Sequence, residues 1–320
     1  MRFLENQQLW LRARARLAWL VLLLVGLMAT GCSINRLAVN KVGDALAGSG
    51  TTFASDDDPE LIKAATPFSL KLMESLLDES PRHAGLLFAA ASGFTQYSYA
   101  FVQQDADELD ATNIAAAQAL RLRAGKLYVR ARNYALRGLE VAHPGFTNAL
   151  QTNAAAAVKL LKTKDVPLAY WCAAAWCAAI SASKDNPDLI GDLPKAEALM
   201  DRALALNESF DHGAIHAFYI TYEMSRAGAT GDPAVRSRQH FDRAVALSGG
   251  LLAGPFVSWA EAVALQKQDY ADFKAKLEQA LAINPDAKPA WRLANLVMQR
   301  RANWLLSRSD ELFLTKPAQP

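Results

Sequence analysis

From Pro59 to Ser307 the chain is a succession of helix-length stretches, apolar at every third or fourth residue and separated by short Pro, Gly, Asn or Asp breaks. That period places the apolar side chains on one face of a helix; a strand needs strict alternation, which no stretch shows. An all-α fold is expected, with helices over 59–78, 83–103, 111–140, 147–162, 166–182, 187–206, 210–226, 233–247, 255–267, 269–283 and 289–307. The run Asp56-Asp57-Asp58-Pro59-Glu60 supplies a capping carboxylate, a proline at the first helical position and an acid in the first turn. It reads as a helix start in preference to a cation site.

The helices carry a degenerate internal repeat. The second helix of a tetratricopeptide (TPR) hairpin reads small-x3-bulky-x2-small-x4-Pro, because small residues admit the partner helix and proline stops the chain. Phe273-x3-Leu277-x2-Ala280-x4-Pro285 fits, after Tyr270. Ser237-x3-Phe241-x2-Ala244-x4-Gly249 and Ala196-x3-Met200-x2-Ala203-x4-Glu208 share its spacing with altered stops. Ser69-x3-Met73-x2-Leu76-x4-Pro81 and Arg132-x3-Leu136-x2-Leu139-x4-Pro144 match less well. The stops are 63, 64, 41 and 36 residues apart, so only the last interval approaches the 34-residue unit. The expectation is TPR-like hairpins forming a curved or closed solenoid; a generic helical bundle is the competing reading.

Arg2, Arg12, Arg14 and Arg16, the apolar run Leu17–Leu27 and then Met28-Ala29-Thr30-Gly31-Cys32 have the order of a bacterial lipoprotein signal. The run is too short to span a bilayer. Cleavage after residue 31 would leave Cys32 to take a diacylglycerol thioether and a palmitate-type N-acyl chain, more than the two lipid signals stable anchoring needs. Ser33, where no Asp follows the cysteine, points to the outer membrane of a Gram-negative cell. The expected organisation is a signal over 1–31, a lipid-anchored segment over 32–58, a helical domain over 59–310 and a tail over 311–320.

Losing residues 1–31 removes four Arg and one Glu, taking the formal charge from +2 to about −1. A near-neutral body has no electrostatic footprint for nucleic acid. Cys172 and Cys177 lie five residues apart on one expected helix, roughly 7.5 Å along its axis, beyond disulfide reach. They read as free, buried thiols. No nucleotide loop, nucleophile elbow or zinc-protease motif is present. His212 and His216 have the i,i+4 spacing of a metal pair but lack the accompanying Glu, so capping and packing are preferred and no metal or cofactor is expected.

Aromatic residues with polar tips are the remaining enrichment: Tyr170, Trp171 and Trp176 on one helix, His216, Tyr219, Tyr222 and Glu223 on another, and Phe256, Trp259 and Glu261 on a third. They are core residues or the half-wet wall of a ligand pocket or channel, and the spacing alone leaves both open.

Five segments in order, Leu168-Ala-Tyr-Trp-Cys-Ala-Ala-Ala-Trp176, Leu193-Pro-Lys-Ala-Glu-Ala-Leu-Met200, Gly213-Ala-Ile-His216, Gly254-Pro-Phe-Val-Ser258 and Arg292-Leu-Ala-Asn295, resemble the T-component lipoproteins of TPR-associated TRAP (tripartite ATP-independent periplasmic) transporters. The resemblance runs from about Val39 to Leu306. It implies a membrane-tethered periplasmic protein with cryptic TPR motifs around a channel, associated with the solute-binding protein of a TRAP importer. It supplies no catalytic residues, and the chain is expected not to be an enzyme. Ala217, where an acid is expected after the histidine, and Leu251-Leu252, where a more polar pair is expected, depart from the family pattern. The function expected is a transporter accessory that docks the solute-binding protein and shelters or passes an apolar organic solute. A structural TPR adaptor for peptides or envelope proteins is the alternative, a hydrolase the third reading, and homo-oligomerisation is left open.

Overall fold

The computed structural model describes residues 40–48 and 50–314, together with residues 10, 14 and 16. Cys32 and most of the signal lie outside the described residues, which contain helices and no strand. Ten principal helices are α1 (Pro59–Glu79), α2 (Ala84–Tyr97), α3 (Ile114–Ala142), α4 (Val166–Ala182), α5 (Leu193–Leu206), α6 (Ala214–Tyr222), α7 (Pro233–Ser248), α8 (Gly254–Trp259), α9 (Tyr270–Leu281) and α10 (Arg292–Ser307).

The expected punctuation does its work. Asp58 caps α1 by accepting from Glu60 N at 3.1 Å and Leu61 N at 3.0 Å. Gly249, at φ +61°, closes α7. The three strong repeat matches bury all nine of their residues: Ala196, Met200 and Ala203; Ser237, Phe241 and Ala244; Phe273, Leu277 and Ala280. The two weaker matches fall differently. Leu76 of α1 and Arg132 and Leu136 of α3 are only half-buried. In α3 the buried small-bulky-small face is Ala124, Tyr128 and Ala131, because this is the face packed on α2 and α4.

Four departures from the expected helices have a clear local reason. The helix over 83–103 runs through a π-helical stretch, Ser98–Gln103, and on to Leu109. Asn153, whose side chain accepts from Ala156 N at 3.0 Å, caps a new start and splits 147–162. The 187–206 helix is interrupted at Asp192. The 210–226 helix begins properly only at Ala214, because Asp211, His212 and Gly213 take left-handed φ of +43°, +55° and +97°. The segment before Asp58 is also more ordered than its small, polar composition suggests, being helical over 40–47 and Gly50–Ala54. Gly43 makes that packing feasible: a Cβ there would stand 2.9 Å from Leu86 Cδ1. Ser80 donates to Asn40 Oδ1 at 2.8 Å and holds the segment against the α1–α2 turn.

Consecutive helices pack as neighbours, α2 on α3, α3 on α4, α4 on α5, α6 on α7 and α9 on α10. The two ends of the array then meet. α10 packs against α1 and against Gly50–Ala54, and Val297 joins the core made by the first helices. Arg300 reaches Asp105 at 3.0 Å and Glu108 at 2.6 Å, and Arg292 donates to Ser55 O at 2.8 Å.

Candidate functional site

Closing the array brings residues from six distant stretches to its interior. Tyr99 lies in the π-helical part of the α2 rod and Glu261 in a second π-helical stretch, Ala260–Ala264, that prolongs α8. Short π segments inside α-helices re-aim side chains and recur at functional sites. Arg301 of α10 donates through Nε to Glu261 Oε2 at 2.8 Å and through Nη1 to Asp107 Oδ2 at 3.1 Å, with Gln104 Oε1 at 3.5 Å. Tyr128 donates to Gln103 Oε1 at 2.7 Å behind this network.

Tyr99 defines the space in front of it. The residue is 42% exposed. Yet desolvation by surrounding protein raises its hydroxyl pKa, with Arg301 opposing and Glu261 and Asp107 adding to the rise. Openness to solvent together with desolvation is the combination a residue on a concave wall would have. Tyr170 of α4 faces the same interior: burial raises its hydroxyl, followed by the charge of Asp211 and the neighbouring Tyr99. Trp171 packs edge-on to Tyr170 with ring centroids 4.9 Å apart, and Phe210 lies 5.3 Å from the Tyr170 ring. These side chains make an aromatic group, Tyr99, Tyr170 and Phe210, and beside Tyr99 an ionic group, Arg301, Glu261 and Asp107.

The aromatic candidates of the sequence separate into three groups. Tyr170, half-buried Trp171 and Glu261 belong to the aromatic and ionic groups or their edge. Trp176 is 1% exposed and stands in the core, with the Arg132 guanidinium 4.9 Å over its ring. Phe256 and Trp259 pack on Phe241 at 5.5 and 5.2 Å, and the Trp259 indole donates to Asp272 at 2.5 Å. The third group, His216, Tyr219, Tyr222 and Glu223, forms a polar seam between α5, α6 and α7. Tyr219 donates to Asp201 and Tyr222 to Glu197. Glu223 accepts from Arg226 at 3.0 Å and Arg236 at 2.5 Å; burial opposes its ionisation, but these guanidiniums hold its pKa below the ordinary value. Tyr99, Asp107, Asp211 and Arg301 escape sequence reasoning. No local pattern in the sequence marks them.

His212 and His216 do not share a helix face. The left-handed turn sends His212 onto Trp291, with ring centroids 4.7 Å apart. His216 Nδ1 instead meets His240 Nδ1 at 2.9 Å, with Glu208, Arg243, Tyr219 and Arg226 around the pair. Among the described residues no group of His, Cys, Asp and Glu is arranged to hold a metal ion. Burial lowers the His216 pKa, and it lowers that of His240 to about 4. An unfolded His takes up a proton near 6.5, so acid favours the unfolded chain between those values. Stability is full above pH 6.5 and falls as the pH drops towards 4; for His240 the loss is expected to be about 2–3 kcal/mol. Urea unfolding at pH 7 and pH 4.5 measures it, and His240→Asn should flatten the dependence. An unchanged slope in that variant would assign the acid sensitivity to other groups.

On its outer side α3 carries a shallow groove of about 390 Å³ lined by Lys126, Val129, Arg130, Asn133, Tyr134 and Arg137. Arg130 lies 3.4 Å from Glu74, which also accepts from Tyr134 at 2.8 Å. Cys172 is buried, Cys177 half-buried, both are free, and burial pushes both thiols up to about 12.

An all-α array with its ends joined defines a helical scaffold. Residues 55–313 match the family model of the TRAP transporter T-component, and the chain belongs to that family. It is thus an accessory component of a TRAP transporter. The chain is also similar to an uncharacterized protein of Treponema pallidum (strain Nichols), 27% identical over 306 residues that cover 90% of this chain and 95% of that one. No helix among the described residues is long and apolar enough to cross a membrane.

Proposed function

We propose that this accessory docks the periplasmic solute-binding protein of its TRAP system and shelters or passes an organic solute through the hollow bounded by Tyr99, Tyr170 and Arg301. The observation that carries the reading is Tyr99, open to solvent while enclosed by protein. An apolar solute gains from aromatic walls with a few fixed polar groups. Lipid at Cys32 holds the scaffold at the periplasmic face of the outer membrane, where it meets a soluble partner.

The same reading makes the chain a scaffold and not an enzyme. Its thiols are neutral at physiological pH, since burial holds them near 12. Thiolate, not thiol, is the nucleophile. The tyrosine hydroxyls of the hollow and of the α5–α6 seam are raised as well.

One preparation with two readouts tests the proposal. The protein expressed with its own N-terminus in a Gram-negative host is expected in the outer-membrane fraction, and Cys32→Ser is expected to release it. After detergent extraction it is expected to co-purify with the solute-binding protein of the same system. No complex at hundreds of micromolar would remove the docking role. A peptide-binding adaptor is favoured by the basic groove of Lys126, Arg130 and Arg137 on α3. Acidic peptides that bind there while the solute-binding protein does not would decide for the adaptor.

A further inference from the structure

The outer face of α3 carries cations that the protein leaves largely unmatched. The helix holds six, Arg121, Arg123, Lys126, Arg130, Arg132 and Arg137, and a single acid, Glu140. Arg121 turns to Asp110 at 2.7 Å and Arg132 to the Trp176 ring at 4.9 Å, both away from this face. Successive helical residues advance by about 100°, so the other four cations lie within one outward sector, with Asn133 among them. Leu122, 63% exposed, lies in the same sector.

The acids nearby do not neutralise the stripe. Glu74 of α1 lies 3.4 Å from Arg130 and already accepts from Lys71 at 2.6 Å and Tyr134 at 2.8 Å. Glu140 is taken up by the backbone N–H groups of Gly145 and Thr147, at 2.6 and 2.9 Å. Exposed Asp44, Asp78 and Glu79 at the α1–α2 turn match Lys41, Arg82 and Arg137 in number, which leaves Lys71, Arg123, Lys126 and Arg130 against Glu74. Arg123 donates to Tyr97 Oη at 3.3 Å and Arg137 to Pro81 O at 3.1 Å, neutral partners that leave the charge standing. Exposed arginines on other helices are matched, Arg238 by Asp242 and Arg243 by Glu208. The guanidiniums of the stripe are also held in place: Arg123 lies 5.8 Å over the Tyr97 ring, Arg130 5.4 Å over Phe94 and Arg137 5.4 Å over Tyr134.

The stripe begins beside the point where the chain leaves for Cys32. Asn40, in the helical segment 40–47, is bonded at 2.8 Å to Ser80 of the α1–α2 turn, and Arg137 reaches Pro81 of the same turn. Cys32 precedes Asn40 by only eight residues, a span of at most about 29 Å. From Arg137 the stripe runs back to Arg123, about 21 Å of helix. A bilayer holding lipid at Cys32 is therefore within reach of all of it. Anionic headgroups attract exposed Lys and Arg that come within a screening length of the surface.

We propose that Arg123, Lys126, Arg130 and Arg137 form the face on which the protein lies against anionic phospholipid, with Leu122 at the headgroup boundary. The inference rests on the proposed lipid at Cys32 and adds what a tether alone does not give, an orientation of the scaffold on the membrane. The short reach of the tether, which ends beside the stripe, favours lipid over an acidic protein as the occupant.

Energy transfer on vesicles tests it. The protein purified from a Gram-negative host with its own N-terminus is dye-labelled through Asn133→Cys, in the middle of the stripe, with the unsubstituted protein treated alike as the blank for Cys177. It is reconstituted into phosphatidylcholine vesicles, with or without phosphatidylglycerol, that carry an acceptor dye at the surface. Transfer is expected to rise only with phosphatidylglycerol and to fall back at about 1 M salt, where charges act over about 3 Å. Each cation removed should lower the ratio of surface-bound to free orientation about fivefold, so Arg123→Gln with Lys126→Gln lowers it about 25-fold, while Lys126→Arg leaves it unchanged. Equal transfer on both vesicles, or transfer unchanged in the double variant, overturns the face and keeps the tether. Protein that leaves phosphatidylcholine vesicles but stays on phosphatidylglycerol until the double variant releases it overturns the tether and keeps the face; protein that leaves both overturns both. A glutamate-rich peptide that binds the stripe while phosphatidylglycerol leaves the transfer unmoved assigns the stripe to an acidic protein partner and overturns the membrane face.

Discussion

Replacing Arg301 by alanine is expected to lower the unfolding free energy by about 3–5 kcal/mol. The side chain is almost enclosed, its residue 7% exposed, and it neutralises Glu261 and Asp107 from two different helical rods. Removing it leaves Glu261 without its guanidinium and Asp107 with only Arg121, 3.6 Å away, while Gln104 loses its donor. Breaking a buried network from one side costs more than the network contributes net, because the survivors stay desolvated. Equilibrium urea denaturation measures the loss. Arg301→Met with Glu261→Gln, which removes charge on both sides, is expected to recover a large part of it. A loss below about 1 kcal/mol in Arg301→Ala would show that the carboxylates are solvated and that the hollow is wider than its polar contacts imply.

Trp176→Ala is expected to cost a similar amount, about 3–5 kcal/mol. The indole is fully enclosed between α3, α4 and α5 in the largest core cluster and carries the Arg132 guanidinium on its face. Alanine would leave a cavity and strip Arg132, whose pKa burial already lowers, of its aromatic neighbour. The indole N–H has no hydrogen-bond partner among the described residues. Trp176→Phe therefore removes an unsatisfied donor along with some volume, and its cost is expected to be about 1–2 kcal/mol. Thermal or chemical unfolding separates the two variants. An alanine variant as stable as the parent, with solute affinity lost, would move Trp176 from the core to the wall of the hollow.

The contrast between Trp176 and Trp171 shows how far the sequence can be read. Both sit on the apolar helix 166–182, whose limits are legible to the residue because Pro167 opens it and Ser183 leaves it. Five residues turn a helix by about 140°, so the two indoles point to different sides. Which side is core and which is hollow depends on partners far away in the chain. Tyr99, Asp107 and Arg301 are brought to Glu261 only by closure of the array, and no local pattern marks them. The buried small-bulky-small triplets of α5, α7 and α9 were readable, since they are consequences of close helix approach. The register of α3 was not, because Ala124, Tyr128 and Ala131 and the weaker-fitting Arg132, Leu136 and Leu139 occupy the same long amphipathic segment. The left-handed turn at Asp211 was hidden for another reason: it contradicts the local preference of its residues and is imposed by α7.

The meeting of α10 with the opening helices has a temporal consequence. A chain made from its N-terminus presents Asp105, Asp107 and Glu108 early, and Arg300 and Arg301, which complete their ion pairing, arrive nearly 200 residues later. Contacts so distant along the chain bear a large loop-closure entropy and form after local hairpins. Until the last helix docks, the nascent chain is an open arc in which Asp105 and Asp107 have only their nearer partners, Lys63 and Arg121. Closure of the array is thereby coupled to completion of the polypeptide, and a prematurely terminated chain keeps an under-compensated acidic edge where a finished one has an ion-paired seam.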